Sequence, residues 1–161
     1  MKILGKIRVL LVEDDPMVQE IQRRFISNVD GFCVAASAGT GAEALALLGK
    51  TPVDLVILDI FMPEMDGVEL LHRVREKGKK VDVIIVSASQ EAETIHDVLR
   101  FGAFDYLVKP FTFERFRMAL ESYRGFFSKV KREPRAFTQG EIDEMFRRRQ
   151  KADPRDSLPK G

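Results

Sequence analysis

The feature that most constrains this chain is a set of five short apolar runs: Ile7–Val12, Phe32–Ala36, Leu55–Leu58, Val83–Val86 and Tyr106–Val108. Each is rich in β-branched residues and nearly continuous rather than alternating. That pattern suits strands covered on both faces, and therefore a parallel sheet. Between the runs lie segments with helical spacing. Val18, Ile21, Phe25 and Ile26 form one stripe; Ala42, Ala44, Leu45 and Leu48 a second; Val68, Leu71 and Val74 a third; Ile95, Val98 and Leu99 a fourth. Asp15-Pro16 supplies a helix N-cap followed by proline at the first helical position, and Asp66 with Glu69 approximates a capping box. Gly31, Gly78 and Gly102 stand where helices give way to the next strand. The expectation is (βα)₅, an open α/β sandwich with right-handed crossovers.

The chain beyond this body reads differently. Phe113, Phe116, Leu120, Tyr123, Phe127 and Val130 are spaced 3, 4, 3, 4 and 3, an a/d heptad seam longer than the last helix of such a sandwich needs. It predicts a homodimer through an extended last helix. Pro134 should interrupt that helix, Thr138-Gln139-Gly140-Glu141 should start a short one running to about Arg149, and residues 153–161 read as linker. The expected division is therefore 1–128 for the sandwich and 129–161 for a helical extension. Formal net charge is +1 overall, yet residues 129–161 carry +4 and residues 1–128 carry −3. A near-neutral chain gives no general case for nucleic-acid or membrane binding. Arg147-Arg148-Arg149 is read as a solvated helix end, His72 and His96 as surface residues, and Met62, Met65 and Met118 as packing. A lone cysteine, Cys33, permits no intrachain disulfide. With neither a signal peptide nor a membrane span in the sequence, these features point to the cytoplasm.

In a parallel sheet every strand ends along one edge, and ligands bind there. Glu13 and Asp14 follow the first run, Asp59 the third, Ser87 the fourth and Lys109 the fifth, so positions up to 96 residues apart converge. Three carboxylates in one small site repel, by about 4 kcal/mol per pair at ~4 Å and an effective dielectric near 20. A hard divalent cation removes that repulsion, and Mg²⁺ favours one or two carboxylates together with phosphate oxygens and water. A carboxylate can attack phosphorus to give an acyl phosphate. Mg²⁺, the Lys109 ammonium and the Ser87 hydroxyl would then serve the phosphoryl oxygens.

Four segments in order, Val-Glu-Asp-Asp-Pro (12–16), Leu-Asp-Ile-Phe-Met-Pro-Glu-Met-Asp-Gly (58–67), Val-Ser-Ala (86–88) and Tyr-Leu-Val-Lys-Pro-Phe (106–111), resemble the motifs of two-component response-regulator receiver domains. The resemblance spans roughly residues 6 to 125. It implies a flavodoxin-like sheet of order 2-1-3-4-5, with Asp59 as the phosphoacceptor and Glu13 and Asp14 as the acidic pair. Asp14 would meet Mg²⁺ directly and Glu13 through water, with the Phe61 backbone carbonyl completing the protein's ligands. It further implies Lys109 as the phosphate-binding lysine, a Lys109–Pro110 bond that is often cis, and Ser87 with Tyr106 as a hydroxyl and aromatic switch pair. A sensor histidine kinase would be the phosphodonor.

The tail is similar to the linker of citrate/malate-type response regulators, in which a DNA-binding domain follows. DNA would be reached only through such a domain. Two other functions compete. A phosphatase of the haloacid-dehalogenase type would carry a second Asp two residues after its nucleophile, where this chain has Phe61. A stand-alone interaction module, or a flavodoxin-like domain with another ligand, is the third reading, although the acids after the first strand would repel a flavin phosphate.

Overall fold

A computed structural model describes residues 5–132 and 135–151. It contains β1 (Ile7–Val12), α1 (Pro16–Ser27), β2 (Phe32–Ala38), α2 (Gly41–Leu48), β3 (Leu55–Asp59), α3 (Gly67–Glu76), β4 (Asp82–Ser87), α4 (Ala92–Arg100), β5 (Ala103–Val108), α5 (Phe113–Phe126) and α6 (Gln139–Lys151). A π-helical turn, Phe127–Lys131, prolongs α5. The strands form one sheet in the order β2-β1-β3-β4-β5, every pair parallel. The expected fold class holds.

Alternate strand residues feed two separate cores. Val9, Leu11, Ile57, Ile84 and Val86 join Ile26, Phe116, Leu120 and Tyr123 on one face. Leu10, Val12, Val56, Leu58 and Ile85 join Ala44, Leu70, Leu71, Val74 and Val98 on the other. Such two-sided burial is why the central runs are continuous in sequence. The edge strands obey a different rule. β5 alternates between buried and half-buried residues and begins at Ala103, three residues before the apolar run suggested. Its outer side lacks a neighbouring strand, so continuity of apolar residues was never required there.

Helix ends follow the capping logic. Asp15 accepts from the Met17 N–H at 2.9 Å, Thr40 from Glu43 N–H and Asp66 from Glu69 N–H. Thr138 and Glu141 form a reciprocal capping box at the start of α6. Gly67 is required by close approach: a Cβ there would lie 2.7 Å from the Ile60 Cα. The first turn of α3 can therefore rest directly on the chain leaving β3.

Several expectations change. The α1 stripe is turned by one residue, with Gln22 buried while Ile21 is largely exposed. His72 is not a surface residue; its ring lies 3.8 Å from that of Phe101 and its Nε2 is buried without a partner. Met62 packs in the core, but Met118 is exposed.

The heptad seam is the largest correction. Phe116, Leu120 and Tyr123 are wholly buried against the chain's own sheet, Phe127 nearly so, and Phe113 packs on Phe25 with ring centroids 5.2 Å apart. Val130 is half-buried in the π-helical turn. A helix lying on a sheet needs the same 3/4 spacing as a coiled coil, so these residues serve the chain's own core. The extension past Tyr123 curls beneath the sheet instead. Lys131 pairs with Asp82 at 3.1 Å, Arg132 donates to the Gly5 carbonyl, and the Arg132 guanidinium lies 4.9 Å from the Phe127 ring centre. The chain thus stays attached to the body through Arg132. Pro134, the expected linker and the Arg148 and Arg149 side chains lie outside the described residues. Among the described residues, no helix is long and apolar enough to cross a membrane.

Candidate functional site

β1 and β3 are adjacent and end in register at Val12 and Leu58, so Glu13 and Asp59 emerge side by side. Asp59 pairs with Val86 on β4, and Ser87 with Val108 on β5, which sets Ser87 and Lys109 one step further along the same edge. Glu13, Asp14 and Asp59 each offer a carboxylate oxygen, and these oxygens all lie within 4.8 Å of one another. Glu13 and Asp59 are buried, at 1% and 3% exposure, while Asp14 faces solvent. The Lys109 ammonium reaches across both buried acids, 3.0 Å from Glu13 Oε1 and 3.5 Å from Asp59 Oδ2. Its peptide bond to Pro110 is cis.

Burial pushes the Glu13 carboxyl up to about 7, against the lowering effects of Lys109 and of the Asp15 N–H. Burial also raises Asp59, opposed first by the Lys109 charge, then by hydrogen bonds to Glu13, Lys109 and the Phe61 N–H. For Lys109 itself burial works downward, but the Glu13 hydrogen bond and the two carboxylate charges win and its pKa is raised. Three carboxylates, two of them buried, thus stand at this edge beside a single ammonium. Clustered carboxylate oxygens fit a hard divalent cation such as Mg²⁺.

Ser87 is fully buried, and its Oγ accepts the Ser89 N–H at 3.0 Å. Tyr106 is half-buried, and its hydroxyl donates to the Ser89 carbonyl at 2.7 Å. Sequence reasoning found Ser87 and Tyr106 but not Ser89 as the residue joining them. Only the tertiary path of the β4–α4 loop brings the three together. Phe61 presents its N–H to Asp59 and its phenyl ring, 57% exposed, to solvent. Glu64, in the same β3–α3 loop, has a left-handed backbone with φ of 69°, a conformation uncommon outside glycine.

A family profile for the response regulator receiver domain matches residues 9–121. The probable C4-dicarboxylate response regulator DctR of Halalkalibacterium halodurans is 44% identical over 155 residues, covering 96% of this chain and 67% of that protein. The transcriptional regulatory protein MalR of Bacillus subtilis is 45% identical over 155 residues, covering 96% of this chain and 66% of that protein. The chain thus spans about two thirds of the length of these relatives. Among solved structures, the signal receiver domain of the putative response regulator NarL from Mycobacterium tuberculosis is 29% identical with a TM-score of 0.68, covering 75% of this chain and 98% of that one. A chain of the CheX-CheY-BeF3-Mg²⁺ complex from Borrelia burgdorferi is 29% identical with a TM-score of 0.65, over 73% of this chain and 88% of that one. The sheet order, the acidic edge bridged by a lysine, and these matches agree: the chain belongs to the response-regulator receiver-domain family.

Proposed function

We propose that this receiver takes a phosphoryl group from a sensor histidine kinase onto Asp59 and, in a longer protein, thereby controls transcription. The observation that carries the reading is the strand-end cluster, where three carboxylates lie together and one lysine reaches two of them. An Asp59 carboxylate oxygen attacks the phosphorus of the donor phosphoimidazole. The new O–P bond forms as the P–N bond breaks, and the imidazole nitrogen leaves with the electron pair. Asp14, Asp59 and the Phe61 carbonyl, with Glu13 through water, would hold Mg²⁺, whose chemistry there would be to neutralise charge on the phosphoryl oxygens. Lys109, already within reach of Asp59, supplies a second cation. The BeF3 and Mg²⁺ in the Borrelia burgdorferi CheY complex support this assignment.

Ser87 and Tyr106 then act as the switch. Turning the Ser87 hydroxyl toward the phosphoryl group gives up the Ser89 N–H that it now accepts. The Ser89 peptide, and with it the Tyr106 hydroxyl on its carbonyl, is freed to shift. That changes the surface formed by α4, β5 and α5, a population shift between two arrangements. The output is dimerisation or interdomain contact through that surface, passed by a tail beginning after Arg132 to a DNA-binding domain. Names of the relatives point to C4-dicarboxylates as the class of signal.

Incubation with acetyl phosphate and Mg²⁺ should label the chain, and Asp59→Asn should not be labelled. Equal labelling of both would sink the proposal. Phosphatase turnover is disfavoured because Phe61 has no group to position water or deliver a proton. The aspartyl phosphate should outlast a second or so, and faster loss would restore the enzymatic reading.

A further inference from the structure

The loop between β1 and α1 carries Glu13 and Asp14, and the three acids of the site are not held alike. Lys109 grips Glu13 and Asp59. Among the described ion pairs none reaches Asp14, so its direction is left to its backbone. The Glu13 N–H donates to the Ala38 carbonyl at 3.0 Å, closing the β1–β2 ladder. Both ladders of β1 end at Val12, so the Glu13 carbonyl has no strand to bond to. Its partner is a side chain: Gln19 Nε2, on α1, lies 3.1 Å from the Glu13 oxygen and 3.3 Å from the Ala38 oxygen. Both partners are acceptors, so the amide nitrogen must be the atom that faces them. The other end of the amide is engaged as well. Arg23 Nη2 donates to Gln19 Oε1 at 3.5 Å and to Ser37 Oγ on β2 at 2.7 Å.

The Glu13 carbonyl and the Asp14 N–H belong to one planar peptide unit. Holding the first fixes the second and the Asp14 Cα, and so narrows the directions open to the Asp14 side chain. We propose that Gln19 is a positioning residue for the acidic pair, its amide clamping the Glu13–Asp14 peptide so that Asp14 is aimed at a divalent cation before the cation arrives. This rests on the reading of Glu13, Asp14 and Asp59 as a Mg²⁺ site. Without the clamp, the peptide plane is free to rotate and Mg²⁺ binding must order it, which weakens affinity without touching a ligand.

The test is Gln19→Met, which keeps the side chain's length and helix propensity but removes the donor. Mg²⁺ titration of the unphosphorylated chain by calorimetry should show roughly tenfold weaker binding in the variant, the size expected for loss of a group that orients a metal ligand. Amide hydrogen exchange should quicken at Asp14 and Asp15 and stay unchanged in β3. Affinity within about twofold of wild type overturns the clamp, as does acceleration that is uniform across loop and sheet, which would mark general loosening. A wild-type chain that binds no Mg²⁺ overturns the site reading itself, and that result is visible before the variant is made.

Discussion

The two edges of the same sheet use the same residue types to opposite effect. At the carboxyl edge, Glu13, Asp14 and Asp59 face one lysine, and burial raises Glu13 and Asp59. At the amino edge Asp54 and Asp82 both find donors. Asp54 takes a two-pronged hydrogen bond from the Arg8 guanidinium and a third from its backbone N–H. Asp82 accepts the buried Tyr123 hydroxyl at 2.6 Å and faces the Lys131 ammonium. Nearby, Arg75 donates to the carbonyls of Phe101, Lys79 and Val81. The amino edge pairs Asp54 and Asp82 with cations and fastens α5 beneath the sheet, whereas at the carboxyl edge three carboxylates stand beside one lysine. In this fold stability and ligand chemistry are separated by the length of a strand.

That contrast makes predictions of opposite sign, best read by urea denaturation in the absence of Mg²⁺. Asp82→Ala leaves the Tyr123 hydroxyl only the Asp54 carbonyl at 3.4 Å and loosens Lys131, and should cost about 2 kcal/mol, within the usual penalty for a poorly satisfied buried donor. Acetyl phosphate labelling should be unaffected. Tyr123→Phe removes the donor but leaves Asp82 with Lys131, and should cost about 1 kcal/mol. Asp59→Asn should do the reverse and raise stability at neutral pH, since it relieves a carboxylate that burial already disfavours; a loss of stability would show that Lys109 fully balances the edge.

The pH dependence offers a further test. A carboxyl raised above its ordinary value binds its proton more tightly in the folded chain than in the unfolded one. Glu13 therefore contributes stability at low pH that is lost as pH rises from about 4.5 to about 7. Compared with Glu13→Gln across that window, the wild type should lose melting temperature as pH rises, and Mg²⁺ should restore it at the upper end. Parallel pH profiles would show that Glu13 is not strained by its burial.

Legibility in the sequence followed what each residue's role depends on. The central strands were readable because two-sided burial demands continuous apolar runs, and Asp15, Asp66 and Thr138 because caps act over three or four residues. The start of β5 was missed because an edge strand has one open side. Gln22 was missed because its burial depends on how α1 is rotated, which a stripe with several plausible faces leaves open. The heptad seam misled because spacing specifies a buried face but not what buries it. Sheet and partner helix ask for the same pattern.

For the site, the sequence by itself determined which side chains stand at which strand ends, and hence that Glu13, Asp14, Asp59, Ser87 and Lys109 share one edge once the strands are parallel. Topology is enough for that, since residues 96 apart need only the same sheet polarity. Tertiary structure decided the rest. It set Lys109 across two acids rather than one, routed Tyr106 to Ser87 through the Ser89 peptide, and laid Gln19 over the Glu13 carbonyl. These depend on distances of a few ångströms between elements far apart in the chain, set by the packing of helices on the sheet, a quantity no local pattern of residues encodes.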